Sequence, residues 1–359
     1  MAEPYLHERT LVATLRGATV PDADRARLDQ HALLDLIERH RLAGVVRRHV
    51  QAAEDGHWAS ALEEALVTAS RKTLADNMVL VEALRSIEEV LRAADISFVV
   101  LKGASLLGFL YPEFDGRFMT DLDLLIRQDD WPRVAAALRT RGYKMPTGEQ
   151  ERYYSQAWYH QLVETPAFPS CAVEFHWNIE STERSRVDPV DLANRSVAFE
   201  LDDTSYRRLC DDDLLLHLAV HLAHHFDRPS LHWVEDLRRL LLNSTFDWAV
   251  IESRARQWQV LNCLAYTFCY VERVFPGTLP PAARRIVLSP ARRFVLQLLG
   301  TTDPTLPHRP LADKPLRHAV SMALLDRWWD ALRYVAKHTI LRLGRPLRLA
   351  RRSPDETPR

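Results

Sequence analysis

Asp121 and Asp123 stand one residue apart at the head of an apolar run, "RFMTDLDLLIR". In a strand, residues i and i+2 face the same side, roughly 6–7 Å apart. The two carboxylates would then aim at one point while Leu122, Leu124 and Ile126 face the core. Like charges held that close repel unless a cation lies between them. Mg²⁺ takes hard oxygen ligands, commonly one or two carboxylates together with substrate phosphates. A two-metal site, with ions about 3.5–4 Å apart, needs a third carboxylate on a neighbouring strand. Glu174 in "VEFHW" is the candidate, with His176 on its face and Val173, Phe175 and Trp177 on the other. His176 would orient Glu174, contact phosphate or make a structural hydrogen bond.

Phosphate needs donors. "VLKGAS" reads as a strand-to-helix turn cornered by Gly103. Backbone N–H groups of the following helix could hold a phosphate. Ser105 would add a hydroxyl and Lys102 a point charge. Arg117, four residues before Asp121, would meet a phosphate or brace a carboxylate. The order is informative: strand, Gly-x-Ser, helix, strand with two aspartates, helix, strand with an acid.

The elements that must position these groups follow from periodicity. Residues 1–95 carry apolar residues at helical spacing, in "DQHALLDLIERHRLAGVVRRHV" and in "WASALEEALVTASRKTLADNMVLVEALRSIEEVLRAA", the latter one helix or two. "ISFVVLKG", "DLDLLIR" and "CAVEFHWNIE" read as strands. "ASLLGFLYP" suggests a short helix, and "DDWPRVAAALRTRGYK" a helix capped by Asp129 or Asp130 and ended at Gly142. From about residue 211 helix returns. The expected organisation is a helical segment 1–95, an α/β core 96–205, a helical domain 206–350 and a disordered tail 351–359. The fold class is therefore α+β, with a small mixed sheet flanked by helices and helix predominating.

"LLLHLAVHLAHHF" sets His217, His221 and His224 or His225 at spacings that can share one helix face. Zinc or iron would suit such a face; we read these residues instead as packing or hydrogen-bonding groups. Trp328 and Trp329 read as core or interface, and the late arginine run "LRLGRPLRLARR" as a solvated face.

Composition narrows the class. The 359 residues are 47% hydrophobic and 26% charged, with net charge −1. That suits a globular protein and argues against a dedicated nucleic-acid coat. Cys171, Cys210, Cys263 and Cys269 form no CxxC pair, so disulfides and a cysteine zinc site are not expected and a reducing cytoplasm fits. No apolar run reaches about 18 residues, so no membrane association is expected, and no signal peptide is read at the start.

The stretch "LKGASLLGFLYPEFDGRFMTDLDLLI", with "GYK" and "VEFHWNI" after it, resembles the nucleotidyltransferase superfamily with the DNA polymerase β-like core. More narrowly, it is similar to the bacterial family of uncharacterised nucleotidyltransferases that read LKG, then R-x-M-x-D-x-D, then E-x-H-W. The likeness covers about residues 75–240. It implies that Gly103 and Ser105 lie in the triphosphate loop, that Asp121 and Asp123 bind the catalytic metals, and that Glu174 is the third carboxylate and activates the attacking hydroxyl. A similar H…H…W-x-x-D segment in that family implies that His221, His225 and Asp236 line the cleft opposite. The implied cofactor is Mg²⁺ or Mn²⁺, with a nucleoside triphosphate such as ATP as substrate. The partner is an acceptor hydroxyl on an unknown small molecule, peptide, protein or RNA. Two rival readings are a regulatory nucleotide-binding protein without turnover and a toxin-type transferase acting on tRNA or protein. Asp121→Asn or Asp123→Asn is expected to abolish transfer with the fold intact.

Overall fold

The computed structural model describes residues 5–52, 58, 60–145, 159–166, 171–182, 184–226, 230–299, 314–327 and 329–336. Trp328, the late arginine run and the tail 351–359 lie outside the described residues. The architecture is mixed α+β: one six-stranded sheet among helices that make up most of the described chain.

The strands are β1 (Val99–Leu101), β2 (Asp121–Leu125), β3 (His160–Glu164), β4 (Ala172–His176), β5 (Val197–Leu201) and β6 (Thr204–Arg208). Their spatial order is β3-β4-β2-β1-β6-β5. β2 runs antiparallel to β1 and parallel to β4, and β1 runs parallel to β6. The two pairings at the sheet's ends, β3 with β4 and β5 with β6, are antiparallel. β6 crosses the expected division at residue 205 and ends at Arg208. Leu122, Leu124, Val173 and Phe175 are fully buried on the face away from the acids, as the alternation predicts.

The second helical stretch of the N-terminal segment is a single helix, Ser60–Ala93. The first divides into Gln30–Arg39, capped by Asp29, and Ala43–Ala52, with Arg41 in the left-handed region at φ 59° between them. The strand-to-helix turn carries a short helix as expected, but the helix spans Lys102–Leu106, and the left-handed corner is Lys102 (φ 46°) rather than Gly103. In the helix Trp131–Arg139 the Asp130 side chain makes no capping bond, whereas Gly142 at φ 82° turns the chain out as predicted. On the C-terminal side, where helix was expected to continue, the chain breaks at Gln259 (φ 61°) between Trp248–Trp258 and Leu261–Val274. Trp329 is exposed, so the core reading does not hold for it. All four cysteines are free.

The segment leading into β2 is clamped from several sides. Asp115 accepts from Arg47 (2.8 Å), Arg48 (2.7 Å) and Ser70. Gly44 is required at this junction, since a Cβ there would lie 2.0 Å from the Asp115 carbonyl oxygen. Asn77, fully buried on the long helix, donates to the carbonyls of Phe114 and Arg117 and accepts from the Met119 N–H. Buried backbone polar groups need such partners, and Asn77 supplies three of them where a loop has none of its own.

Candidate active site

The parallel pairing of β2 and β4 sets Asp123 opposite Glu174 and Asp121 opposite Ala172. Adjacent strands lie about 4.8 Å apart, so backbone hydrogen bonds alone bring the three acids to one side of one sheet. All three line a cavity of about 480 Å³. Its walls include Lys102 and Gly103 at the turn, Arg41 from the N-terminal segment, and His221, His225 and Trp233 from the C-terminal helices.

The acids are in unequal environments. Asp123 is 3% exposed and accepts from Lys102 Nζ (2.8 Å), while His176 Nε2 lies 2.7 Å from the same oxygen. Burial alone would raise its carboxyl, but Lys102 and His176 hold it far below the usual carboxylate range. Among the described residues Asp121 has no such hydrogen-bonded partner: burial first, then the Asp123 charge, push it up to about 6. Burial also acts upward on Glu174, but the His176 hydrogen bond keeps it below its ordinary value. Nε2 of His176 lies 3.3 Å from Glu174 Oε2, so one imidazole ties the two acids together.

The residues fit a divalent cation. Asp121 is a partly buried carboxylate crowded by like charge, and a cation beside it would relieve both the burial cost and the repulsion. His160 was not anticipated. It stands on β3 with Nε2 3.8 Å from Glu174 Oε2, and His160, Glu174 and His176 each bring one ligand atom within 4.8 Å of the others. Imidazole beside carboxylate suits Mn²⁺ or Zn²⁺ as well as a harder ion.

The expected phosphate donors are placed differently. Ser105 is fully buried and donates to the Lys102 carbonyl (2.8 Å), away from the cavity. Lys102 is taken up by Asp123. Arg117 fulfils the second of its two readings, bracing a carboxylate: its Nε lies 2.8 and 2.9 Å from the oxygens of Asp236. Asp236 also accepts from Tyr111 (2.7 Å) and is fully buried, so it fastens the helix Leu231–Asn243 to the β2 loop rather than lining the cleft. Gly103 lines the cavity as expected, and a Cβ on it would lie 3.0 Å from Met119 Cγ.

Opposite the acids, His221, His225 and Trp233 stack into one aromatic group, with centroids 4.5 to 5.2 Å apart. His217 points into the core; neither ring nitrogen has a hydrogen-bond partner, and burial pulls it down to about 3, so it is neutral. Among the described residues the histidines of this helix form no metal-binding group.

Residues 26–276 match the family described as uncharacterised nucleotidyltransferase. This span holds all three acids and every cavity residue from Arg41 to Trp233. The chain belongs to that nucleotidyltransferase family. No curated protein matches the sequence. Among the described residues no helix of this family member is long and apolar enough to cross a membrane.

The cavity wall also carries a buried carboxylate held by a histidine. Glu180, 4% exposed, is ion-paired with His224 Nδ1. Burial would raise this carboxyl, but His224 lowers it to about 2 from an ordinary 4.5. A depressed acid contributes stability that is present above its unfolded pKa and lost as pH falls toward the folded one. Urea unfolding between pH 6 and pH 2 is therefore expected to lose about 3 kcal/mol from this group in the wild type. Glu180→Gln should give a flatter profile over the same window; an unchanged profile would contradict the pairing.

Proposed function

We propose that the protein is a metal-dependent nucleotidyltransferase of the DNA polymerase β-like superfamily, acting in the cytoplasm. It would transfer a nucleoside monophosphate from a triphosphate to an acceptor hydroxyl and release pyrophosphate. The observation carrying this reading is the register of β2 on β4, which opens Asp121, Asp123 and Glu174 onto one cavity.

Asp121, Asp123 and Glu174 would hold Mg²⁺ or Mn²⁺; of these three acids Glu174 is the one whose ligand atom groups within 4.8 Å of His160 and His176. A bound ion would supply charge neutralisation for the phosphoryl oxygens. The chain's own groups supply the rest. Glu174 accepts the proton of the attacking hydroxyl as the new P–O bond forms and the bond to pyrophosphate breaks. His176 holds Glu174 and Asp123 in one orientation. Lys102 keeps Asp123 ionised at every working pH. The aromatic wall of His221, His225 and Trp233 offers stacking surface to a base or an acceptor.

The test is incubation with each labelled triphosphate, Mg²⁺ or Mn²⁺, and a lysate as acceptor pool. Transfer by the wild type and not by Glu174→Gln is expected, and the labelled product identifies donor and acceptor class. Triphosphate binding with no transfer from any donor would instead favour the regulatory reading.

A further inference from the structure

We propose that Arg41, outside the α/β core, is the residue that grips the polyphosphate tail of the nucleotide. The proposal rests on the reading of the cleft as a nucleoside-triphosphate site. Four arginine and lysine side chains line the described cavity: Arg41, Lys102, Arg117 and Arg184. Three are committed. Lys102 is bound to Asp123 and Arg117 to Asp236. Arg184 lies over the Tyr334 ring at 4.9 Å, donates to its hydroxyl at 3.3 Å, and takes charge stabilisation from Glu180. Among the described residues, the Arg41 guanidinium has neither a carboxylate within ion-pair distance nor a hydrogen bond. It lies over the Phe118 ring, 5.0 Å from its centroid.

The electrostatics around Arg41 favour an added anion. Burial and the nearby Arg117 both work against its charge, and the Asp121 carboxylate works for it. Arg41 therefore sits between a second cation and the acid that would bind the metal. A triphosphate joined to a metal at Asp121 would extend its charged oxygens into that neighbourhood. The planar guanidinium meets two phosphate oxygens at once, which a lysine ammonium does not.

The backbone is built to present it. Arg41 holds φ at 59° as the residue that closes the helix Gln30–Arg39, with the Leu42 N–H donating back to the Ile37 carbonyl (3.0 Å) in an ordinary left-handed helix end. The turn is also pinned from outside the helix. His40 Nδ1 accepts from the Leu231 N–H (3.2 Å), and the His40 carbonyl accepts from Ser230 Oγ (3.3 Å) and faces His232 Nδ1 (3.2 Å). The Arg41 N–H donates to the Glu38 carbonyl (2.9 Å). A helix end fixed by these bonds, carrying a guanidinium with no ion-pair or hydrogen-bond partner among the described residues, is preorganised for a ligand contact. Arg41 itself reads the tail and not the base, so tripolyphosphate alone carries the chemistry it recognises.

Calorimetric titration of the full chain with ATP, GTP, CTP, UTP and inorganic tripolyphosphate, each with Mn²⁺, tests this. Arg41→Asn keeps a residue that tolerates the left-handed backbone, and its melting temperature controls for folding. It should bind the favoured triphosphate and tripolyphosphate about 10- to 100-fold more weakly, with the matching monophosphate changed less than about twofold. Arg41→Lys should recover only part of the loss. Triphosphate affinity in Arg41→Asn within twofold of the wild type would overturn the Arg41 assignment and leave the transferase reading standing. A wild type that binds no triphosphate would overturn both.

Discussion

Asp121→Asn is expected to abolish metal-dependent transfer while leaving the protein at least as stable as the wild type. An acid whose folded pKa is raised costs stability once pH exceeds that pKa. With Asp121 pushed to about 6 from an ordinary 3.8, its charge costs up to about 2–3 kcal/mol at pH 8. Asparagine is nearly isosteric and removes that cost, so the melting temperature should stay level or rise at pH 8. The activity should fall by on the order of 10³-fold or more, because the position opposing developing phosphoryl charge is lost. Label transfer and thermal unfolding on the same preparation check both halves. Full activity would remove Asp121 from the site, and a sharp drop in melting temperature would refute the electrostatic account. Asp123→Asn does not share this outcome, and the expectation of an intact fold is revised for it. Asp123 is the carboxylate partner of buried Lys102 and His176, and its loss leaves both without that compensation.

Asp236→Ala should be among the most destabilising single changes in the chain, although Asp236 does not itself line the cavity. Asp236 is fully buried, Arg117 is 6% exposed and Tyr111 1%. Removing one partner of a buried ion pair costs about 3–5 kcal/mol, because the other charge stays buried and uncompensated. The damage also reaches the site, since Arg117 lies four residues before Asp121 in the loop that Asn77 and Asp115 hold. Denaturant unfolding should show a lowered midpoint with Asp236→Ala and a smaller loss with Asp236→Asn, which keeps a hydrogen-bond acceptor for Tyr111. Equal stability of Asp236→Ala and wild type would show that the pair is not structural.

β2 and β4 were legible because charged and apolar residues alternate over 121–124 and 173–176. Leu122, Leu124, Val173 and Phe175 take one face there, so Asp121, Asp123 and Glu174 could be assigned to the other before any register was known. The hairpin of β5 and β6 was not legible. Its turn is Asp202-Asp203, both at positive φ, where Asn-Gly or Asp-Gly would have announced a two-residue turn, and β6 ends in two arginines. Likewise Gln259 ends a helix in the left-handed conformation without the glycine that usually marks such a stop. At the site, residue type was readable and partnership was not. Lys102 and Arg117 were candidates for phosphate, yet each is claimed by an acid, Asp236 lying 119 residues from Arg117. Arg41 and His160 come from segments with no motif, and only the folded arrangement brings them to the cavity.

Lys102, like Arg41, holds a left-handed backbone, at φ 46°. Glycine would take up that geometry more cheaply, by about 1 kcal/mol, and asparagine nearly so. A lineage selected only for persistence of the folded state would drift toward those residues at Arg41, whereas Lys102 would be kept by buried Asp123. Retention of Arg41 would therefore trace selection on the cleft, so a descendant that gave up turnover should lose Arg41 early, ahead of the paired Lys102 and Asp123.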